Sequence, residues 1–304
     1  MELSDLIDFN RYSQYLGQFD SAQYAAVKTR EGKVAGLSFC VYQQSDTPSD
    51  VIILYHGGGV HRNAGYPVLA YQLCVDPRIA VCLVDIRGHG KSDGKRGSVA
   101  QPELIWRDVD TIVDEITRCF PYAQRHLAGH SSGAGMLINY FTRYNDRRSA
   151  DSLTLLAPEL GPFAGIARPI DEKQRFAQVR QWPFIVNAIS AGYLFGQCWA
   201  VKLNFPAQVL KAAPDFVSRY SVNMANALTP RHPAKQLSSL PVPTLLLFAQ
   251  NDELFDSEAM RDFANQHGSE LLQSHEMPGA THLACVFEAH HYMAPFIAGL
   301  SPCE

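Results

Sequence analysis

Short apolar runs recur along this chain and are separated by longer stretches with helical periodicity. Mostly apolar runs stand at 51–55, 79–84, 126–128, 152–156 and 244–249. A run with few polar positions is typical of a strand that is buried on both faces of a sheet. A further run at 36–43 alternates between apolar and polar residues, as an antiparallel strand does, and a last strand is expected at 270–276.

Stretches of helix length lie between these runs. They span 64–75, 102–119, 132–145 and 256–267, and a final one runs from about 283 to 299. Strands and helices that alternate in this way form an open, mostly parallel sheet with helices on both faces. The pattern therefore predicts an α/β fold.

The alternation stops between residues 161 and 240, where helical patterns continue and no strand pattern is found. This predicts two parts, an α/β core formed by 1–160 and 241–304 and a helical cap inserted at 161–240. Residues 1–35 carry no motif and are assigned to the core as an N-terminal extension. No charged residue occurs between Gln181 and Val201, but proline, asparagine and glycine interrupt that stretch, so we expect an apolar lid rather than a membrane span.

Composition narrows the class of protein. Of the 304 residues, 46% are hydrophobic and 18% are charged, which is typical of a globular protein with a large core. The net charge of −4 and the absence of a basic stripe argue against a nucleic-acid partner. The seven cysteines are dispersed without a C-x-x-C pair, and Glu2, Asp5 and Asp8 do not fit a signal peptide, so we predict reduced thiols and a cytoplasmic location.

Unusual residues follow the predicted parallel strands. In a doubly wound sheet, ligands bind beyond the carboxyl ends of the strands, which share one edge of the sheet. We therefore expect a functional site where these loops meet. The loops contain His56-Gly57-Gly58-Gly59, the residues from Asp85 to Gly90, Ser131, Asn251-Asp252, and the residues from Gly279 to His282.

The segment from Gly129 to Gly133 reads G-x-S-x-G and lies between a predicted strand and a predicted helix. A serine hydroxyl is a weak nucleophile until a tight turn exposes it beside a base. Glycines permit the strained backbone of such a turn and leave room for neighbouring chains. Ser131 is therefore the candidate nucleophile.

A serine nucleophile needs a base, and the base needs a carboxylate that orients it. The chain order nucleophile, acid, histidine is that of the α/β-hydrolase arrangement. Asp252 is the first carboxylate past the strand at 244–249, and His282 follows after one more helix and strand. We predict that these two residues complete the triad. The alternatives are Glu253 and Asp256 for the acid, and His275, His290 and His291 for the base.

Acyl transfer places negative charge on the former carbonyl oxygen, so backbone N–H groups must converge there. The glycines that follow His56 form a loop of such donors without side chains. We expect the first donor to be Gly58, with Gly57 as the alternative. The second should be the N–H of Ser132, where the N-terminus of a helix also favours an anion.

No metal or other cofactor is expected. His56, His61 and His89 lack a carboxylate or cysteine partner at ligand spacing. Asp85 and Arg87 are interpreted as residues that brace the loops around the site.

The cap carries a cluster of apolar and aromatic residues that is suited to lining an acyl tunnel. The same residues could instead form a small core within the cap, since a helical insertion needs apolar faces in order to dock. An apolar cap also predicts peripheral contact with a membrane. The expected substrate-binding residues are Trp182, Phe184, Tyr193, Phe195 and Trp199.

Taken together, these motifs resemble the monoacylglycerol lipase and lysophospholipase group of serine α/β-hydrolases. The shared pieces are H-G-G-G at 56–59, D-I-R-G-H-G-K-S-D-G at 85–94, G-H-S-S-G at 129–133, L-L-L-F-A-Q-N-D at 245–252 and G-A-T-H at 279–282. The resemblance implies the α/β-hydrolase fold, the triad and oxyanion residues named above, and a cap over the acyl pocket. The cap itself shows no motif of the group.

The sequence thus predicts a serine hydrolase that cleaves carboxylic esters of apolar acyl chains through an acyl-enzyme, with a lipophilic small molecule as substrate. Thioester or amide cleavage, or acyl transfer to an acceptor other than water, would use the same triad, because specificity lies in the cap and pocket. A third alternative is a ligand-binding protein that has kept the fold without its catalysis.

Overall fold

The structure is a computed structural model that describes residues 9–171 and 175–300, with side chains from residue 12 onward. Cys303 and the acidic residues Glu2, Asp5 and Asp8 lie outside the described residues. The strands are β1 (Lys28–Val34), β2 (Leu37–Gln43), β3 (Asp50–Tyr55), β4 (Ile79–Val84), β5 (Gln124–His130), β6 (Ser152–Leu156), β7 (Ala177–Val179), β8 (Trp199–Leu203), β9 (Arg219–Ser221), β10 (Thr244–Ala249) and β11 (Leu272–Met277).

The helices alternate with these strands. They are α1 (Phe9–Gln18), α2 (Tyr66–Leu73), α3 (Pro102–Cys119), α4 (Ser132–Arg143), α5 (Gln181–Ile189), α6 (Ala207–Ala212), α7 (Val222–Leu228), α8 (Pro233–Ser238), α9 (Ser257–His267), α10 (Cys285–Glu288) and α11 (His290–Ala298). A short 3-10 helix spans Ser21–Tyr24.

An eight-stranded sheet forms the centre of the molecule, in the order β1-β2-β4-β3-β5-β6-β10-β11. Strand β2 runs antiparallel to β1 and β4, and the strands from β4 to β11 in this order are parallel. One face of the sheet packs against α3 and α4 around Trp106 and Tyr140, and the other packs against α2 and α11 around Leu69 and Ile297. The predicted mostly parallel α/β sheet is confirmed.

Most core elements lie within two or three residues of their predicted bounds, and α3, β4, β6 and β10 agree with them in full. Strand β1 was not predicted, because its seven residues (KTREGKV) are mostly polar and mostly exposed at the edge of the sheet. The predicted final helix is divided into α10 and α11 around Ala289.

The segment between β6 and β10 differs from the prediction. It contains α5 to α8, but also a three-stranded antiparallel sheet in the order β7-β8-β9. The predicted helices are present, whereas these three strands were not predicted from the sequence. Strands β7 and β9 have three residues each, too few for an alternating pattern, and β8 begins inside the uncharged stretch from Gln181 to Val201. Among the described residues, no helix combines the length and apolar character needed to cross a membrane.

Candidate active site

The turn between β5 and α4 holds Ser131 in a strained conformation, with φ of 51° and ψ of −115°. A side chain on either flanking glycine would collide with backbone. A Cβ on Gly129 would lie 2.5 Å from the carbonyl carbon of Gly133, and one on Gly133 would lie 2.6 Å from the carbonyl oxygens of Tyr55 and His56. The two glycines therefore let β5 and α4 approach so closely that the turn holds the serine at the edge of the sheet.

Three side chains that are remote in the sequence form one hydrogen-bonded series. The Oγ of Ser131 lies 3.1 Å from Nε2 of His282, and Nδ1 of the same ring lies 2.8 Å from Oδ2 of Asp252. The exposed fractions of Ser131, Asp252 and His282 are 8%, 3% and 3%. In this geometry the carboxylate accepts the Nδ1 proton, so Nε2 is free to accept the proton of the serine hydroxyl.

Asp252 is held in place by its own loop. Its Oδ1 accepts the backbone N–H groups of Leu254 and Phe255 at 2.9 and 3.0 Å, which leaves Oδ2 for the imidazole. The alternative carboxylates have other partners. Glu253 accepts the backbone N–H of His282 at 2.8 Å, and Asp256 caps α9 through the N–H of Ala259.

The alternative histidines lie away from Ser131. His275 lies on β11 against the ring of Tyr292. His290 contacts the carbonyl of Phe287, and His291 lies 3.9 Å from the carboxylate of Glu288. Of the histidines considered, His282 is the one that contacts the serine hydroxyl.

The electrostatic environment favours a proton on His282. Burial alone lowers the pKa of this imidazole, but the carboxylates of Asp252, Glu253 and Glu159 together outweigh that effect, so its pKa is raised above the ordinary value. Glu159 follows β6 and lines a cavity that Ser131 and His282 also line, and burial raises the pKa of its carboxyl group. Sequence reasoning missed Glu159, since a carboxylate after β6 carries no motif.

The glycine loop after β3 presents one uncommitted N–H group. The Gly57 N–H donates to the hydroxyl of Tyr66 at 2.7 Å, and the Gly59 N–H donates to the hydroxyl of Tyr220 at 2.5 Å. Within the described part of the chain, no acceptor takes the Gly58 N–H. A Cβ on Gly58 would lie 2.9 Å from Oγ of Ser132, so the two predicted oxyanion donors are neighbours in space.

Ser132 is the first residue of α4. The first N–H groups of a helix have no acceptor within the helix and lie at the positive end of its dipole. Its N–H and that of Gly58 can therefore both bind an anion beside Ser131.

His130, inside the G-x-S-x-G motif, connects its own turn with α2 and with the loop that carries His282. Its Nε2 lies 3.0 Å from the carbonyl oxygen of His282, which can only accept, so Nε2 carries the proton. Its Nδ1 then accepts the hydroxyl of Tyr66 at 2.8 Å. Burial lowers the pKa of His130 to about 3, so the ring stays neutral. No role was predicted for His130 or Tyr66, although His130 lies within the motif.

The other histidines near the site are also engaged. Nδ1 of His56 donates to the carbonyl of Gly57, and its Nε2 accepts the N–H of Ile86. His61 lies 3.3 Å from the carboxylate of Asp215. Among the described residues, no group of three His, Cys, Asp or Glu residues could hold a metal ion.

A cavity of about 2290 Å³ opens beside Ser131, Gly58 and His282. Aromatic and aliphatic side chains from the segment between β6 and β10 form much of its wall, and Tyr12 and Leu16 of α1 also line it. This volume exceeds that of an ordinary small-molecule site, about 300–1,000 Å³. The apolar wall includes Phe176, Phe184, Leu203, Phe205, Phe216 and Phe255.

The predicted substrate-binding aromatics are divided between two surfaces. Phe184 and Tyr193 line the cavity, although Tyr193 is 90% exposed. Trp182, Phe195 and Trp199 do not line it. Trp182 packs edge-on against Phe195 with ring centroids 5.0 Å apart. The ring of Trp199 contacts two cations, with Nζ of Lys95 at 5.3 Å and Cζ of Arg219 at 4.3 Å from its centroid. Other phenylalanines of the cavity wall, such as Phe176, Phe205 and Phe216, lie outside the stretch from Gln181 to Val201 and were not predicted from the sequence.

Parts of the chain are similar to known lipases. A stretch of 127 residues is 29% identical to a monoacylglycerol lipase of Mycolicibacterium smegmatis and covers 42% of this chain and 44% of that protein. A stretch of 101 residues is 37% identical to the monoglyceride lipase of Mus musculus and covers 33% of each. The chain thus aligns with less than half the length of these curated relatives.

Similarity of fold extends further. The crystal structure of Paleococcus ferrophilus monoacylglycerol lipase has a TM-score of 0.64 and 20% identity, over 87% of this chain and 99% of that one. A family model described as serine aminopeptidase, S33 (Hydrolase_4) matches residues 46–289. Because this match spans well over half of the sequence, the chain belongs to that family of α/β-hydrolases.

Proposed function

We propose that this protein hydrolyses carboxylic esters of apolar acyl chains, as a monoacylglycerol lipase-like or lysophospholipase-like esterase. The observation that supports this best is the hydrogen-bonded series from Asp252 through His282 to Ser131 at the wall of a large, mainly apolar cavity. The names of the similar lipases agree with this class of substrate.

In the acylation step, Oγ of Ser131 attacks the ester carbonyl while Nε2 of His282 takes the hydroxyl proton. Asp252 keeps the imidazole in the required tautomer and stabilises the imidazolium that forms. The N–H groups of Gly58 and Ser132 bind the oxyanion of the tetrahedral intermediate. The imidazolium then protonates the departing alcohol, which leaves an ester between the acyl group and Ser131.

Deacylation repeats these steps with water as the nucleophile. His282 takes a proton from water as it attacks the acyl-enzyme, and the same two N–H groups bind the second oxyanion. Collapse of this intermediate releases the carboxylic acid and returns the proton from His282 to Ser131. No cofactor enters either step.

Within this proposal, residues 161–240 act as the cap over an α/β core formed by 1–160 and 241–304. The phenylalanines of the cavity wall would hold the acyl chain, and Phe184 and Tyr193 are the predicted cap aromatics in a position to contact it. We keep the cytoplasmic location as a prediction; the six described cysteines are free.

The outer surface of α5 and the turn after it would contact a lipid surface. Several large apolar side chains are exposed there. One exposed apolar residue is common on a protein surface, but a contiguous patch of them marks a site of contact with a protein or a membrane. Binding to phosphatidylcholine vesicles that falls in Ile189→Ser would support this contact, and undiminished binding would contradict it. The exposed side chains outside the cavity lining are Trp182, Ile189, Leu194 and Phe195; Ile185 and Tyr193 are also exposed and lie at the cavity lining.

A fluorophosphonate probe and a series of nitrophenyl esters test the proposed reaction. We expect the wild type to be labelled at Ser131 and to prefer long acyl chains, and Ser131→Ala to lose both labelling and turnover, by a factor of about 10⁶ in kcat. Turnover that persists in Ser131→Ala would contradict the proposal. Thioester and anilide analogues, with and without added alcohol, distinguish hydrolysis of esters from the alternative reactions of the same triad.

A further inference from the structure

One short segment between β6 and β10 contacts the glycine loop of the active site at the level of its backbone. The N–H of Val217 donates to the carbonyl oxygen of Gly59 at 2.7 Å, and the N–H of Ser221 donates to the carbonyl oxygen of Gly97 at 3.0 Å. Between these two bonds, the buried side chain of Tyr220 on β9 points into the core. The carbonyl oxygen of Gly59 thus accepts from Val217, and its N–H donates to the hydroxyl of Tyr220, so both backbone groups of Gly59 have partners in this segment.

The hydroxyl of Tyr220 has two partners. It accepts the N–H of Gly59 at 2.5 Å and lies 2.9 Å from Nε2 of His89. Nδ1 of His89 lies 3.2 Å from the carbonyl oxygen of Arg87 and must donate to it, so Nε2 accepts the tyrosine proton. Burial holds the pKa of His89 well below its ordinary value, which keeps this nitrogen an acceptor.

The same arrangement occurs on the other side of Gly58. There the hydroxyl of Tyr66, on α2, accepts the N–H of Gly57 and donates to His130. Two tyrosine hydroxyls, each held by a neutral histidine, thus bind the amides on either side of the uncommitted Gly58 N–H. One tyrosine belongs to the core, and the other belongs to the segment between β6 and β10.

We propose that Tyr220 is a positioning residue that completes the oxyanion hole from the cap, by holding the Gly59 peptide so that the Gly58 N–H points at the reacting carbonyl. The proposal rests on the proposed function. Glycines have many accessible backbone conformations, and three in a row would otherwise leave the donor poorly oriented. The hole is therefore complete only when the segment from Val217 to Tyr220 is docked on the core.

This role predicts which kinetic constant changes. A hydrogen bond to an oxyanion strengthens as charge develops in the transition state, so a misdirected donor lowers kcat more than it raises KM. Loss of a whole oxyanion donor costs about 10²–10³ in kcat. Since Tyr220→Phe keeps the donor and loosens only its orientation, we expect kcat to fall about tenfold, with KM within about twofold of the wild type.

The test compares Tyr220→Phe with Tyr122→Phe, whose side chain is 98% exposed in the turn between α3 and β5. Each variant is assayed with a nitrophenyl ester and titrated with an alkyl trifluoromethyl ketone, whose adduct with serine carries an oxyanion. We expect the inhibition constant of the ketone to rise in Tyr220→Phe by the same factor as kcat/KM falls, with no change in Tyr122→Phe. An unchanged kcat, or a loss confined to KM, would overturn the proposal.

Hydrogen exchange separates this inference from the proposed reaction. In the free protein, the amide of Gly59 should exchange at least tenfold faster in Tyr220→Phe than in the wild type or in Tyr122→Phe, at equal melting temperature. His89→Phe should also increase the exchange rate of the Gly59 amide, because it removes the acceptor that orients the hydroxyl of Tyr220. Unchanged exchange in Tyr220→Phe would overturn the inference even in an active enzyme. If the wild type did not turn over esters but the Gly59 amide exchanged faster in Tyr220→Phe, the proposed reaction would be rejected, while the role of Tyr220 in holding the Gly59 peptide would stand.

Discussion

The turn at Ser131 in the core and the loops around Gly165 and Gly192, between β6 and β10, lie near the same cavity but differ in how closely their backbones are packed. In the core, a Cβ on Gly133 would lie 2.6 Å from two backbone oxygens, whereas Gly165 and Gly192 in the other segment have open space around them. The side chains of Ser131, Asp252 and His282 are buried, whereas Trp182 and Ile189 of α5 are exposed. In the proposed function, the reaction takes place among crowded, buried loops, and the more open segment between β6 and β10 would select the substrate.

The largest expected difference between these regions concerns activity. In Asp252→Asn, the amide can still accept the N–H groups of Leu254 and Phe255, but the imidazole is held in the wrong tautomer. We expect kcat to fall about 10⁴-fold with the fold intact. Trp182→Ala, outside the cavity lining, should change ester turnover less than about twofold. A similar loss in both variants would remove the distinction between the regions.

A second comparison concerns stability. Gly133→Ala places a methyl group against the carbonyl oxygens of Tyr55 and His56, so we expect a loss of about 3 kcal/mol in the free energy of unfolding, despite the better helix propensity of alanine. Gly165→Ala meets no neighbour and should cost about 1 kcal/mol, from its φ of 71°. Urea denaturation of both variants measures the difference. Equal losses would show that the core turn is less crowded than described.

The wall of the cavity should affect substrates according to their length. Phe184→Ala removes apolar surface that faces the cavity, so we expect kcat/KM for long-chain nitrophenyl esters to fall about tenfold, and that for the acetate to change little. Trp182→Ala is the matched control on the same helix. If both variants lower long-chain turnover equally, the division of α5 into a cavity face and an outer face is incorrect.

The smallest expected effect is a shift in the pH profile. His282 must be neutral to accept the serine proton, so kcat/KM should fall as the pH drops through its pKa, which lies above the ordinary value. Glu253→Gln removes one carboxylate that stabilises the imidazolium, while the side-chain amide oxygen can still accept the backbone N–H of His282. The acid limb should therefore move to lower pH, by less than about one unit. A shift to higher pH would contradict this assignment of charges.

The candidate site was predictable where the sheet dictates position. Residues that directly follow parallel strands converge at one edge, so Ser131, Asp252 and His282 could be selected from their places after β5, β10 and β11. Tyr220 could not, because it reaches Gly59 from 161 positions away and no periodicity or spacing encodes that contact. The edge strand β1 was missed for a related reason, since a polar strand that buries little has no apolar pattern.

The amino-acid sequence by itself determined the α/β order, the turn at Ser131 and the loops that carry the candidate triad. Local apolar runs and glycine spacing are sufficient for these features, because buried parallel strands and tight turns restrict which residues they accept. Tertiary structure alone decided which aromatics face the cavity, that Tyr66 and Tyr220 bind the amides beside Gly58, and that three carboxylates act on His282. These depend on which surfaces dock against one another, and docking is a property of the folded shape rather than of any local pattern.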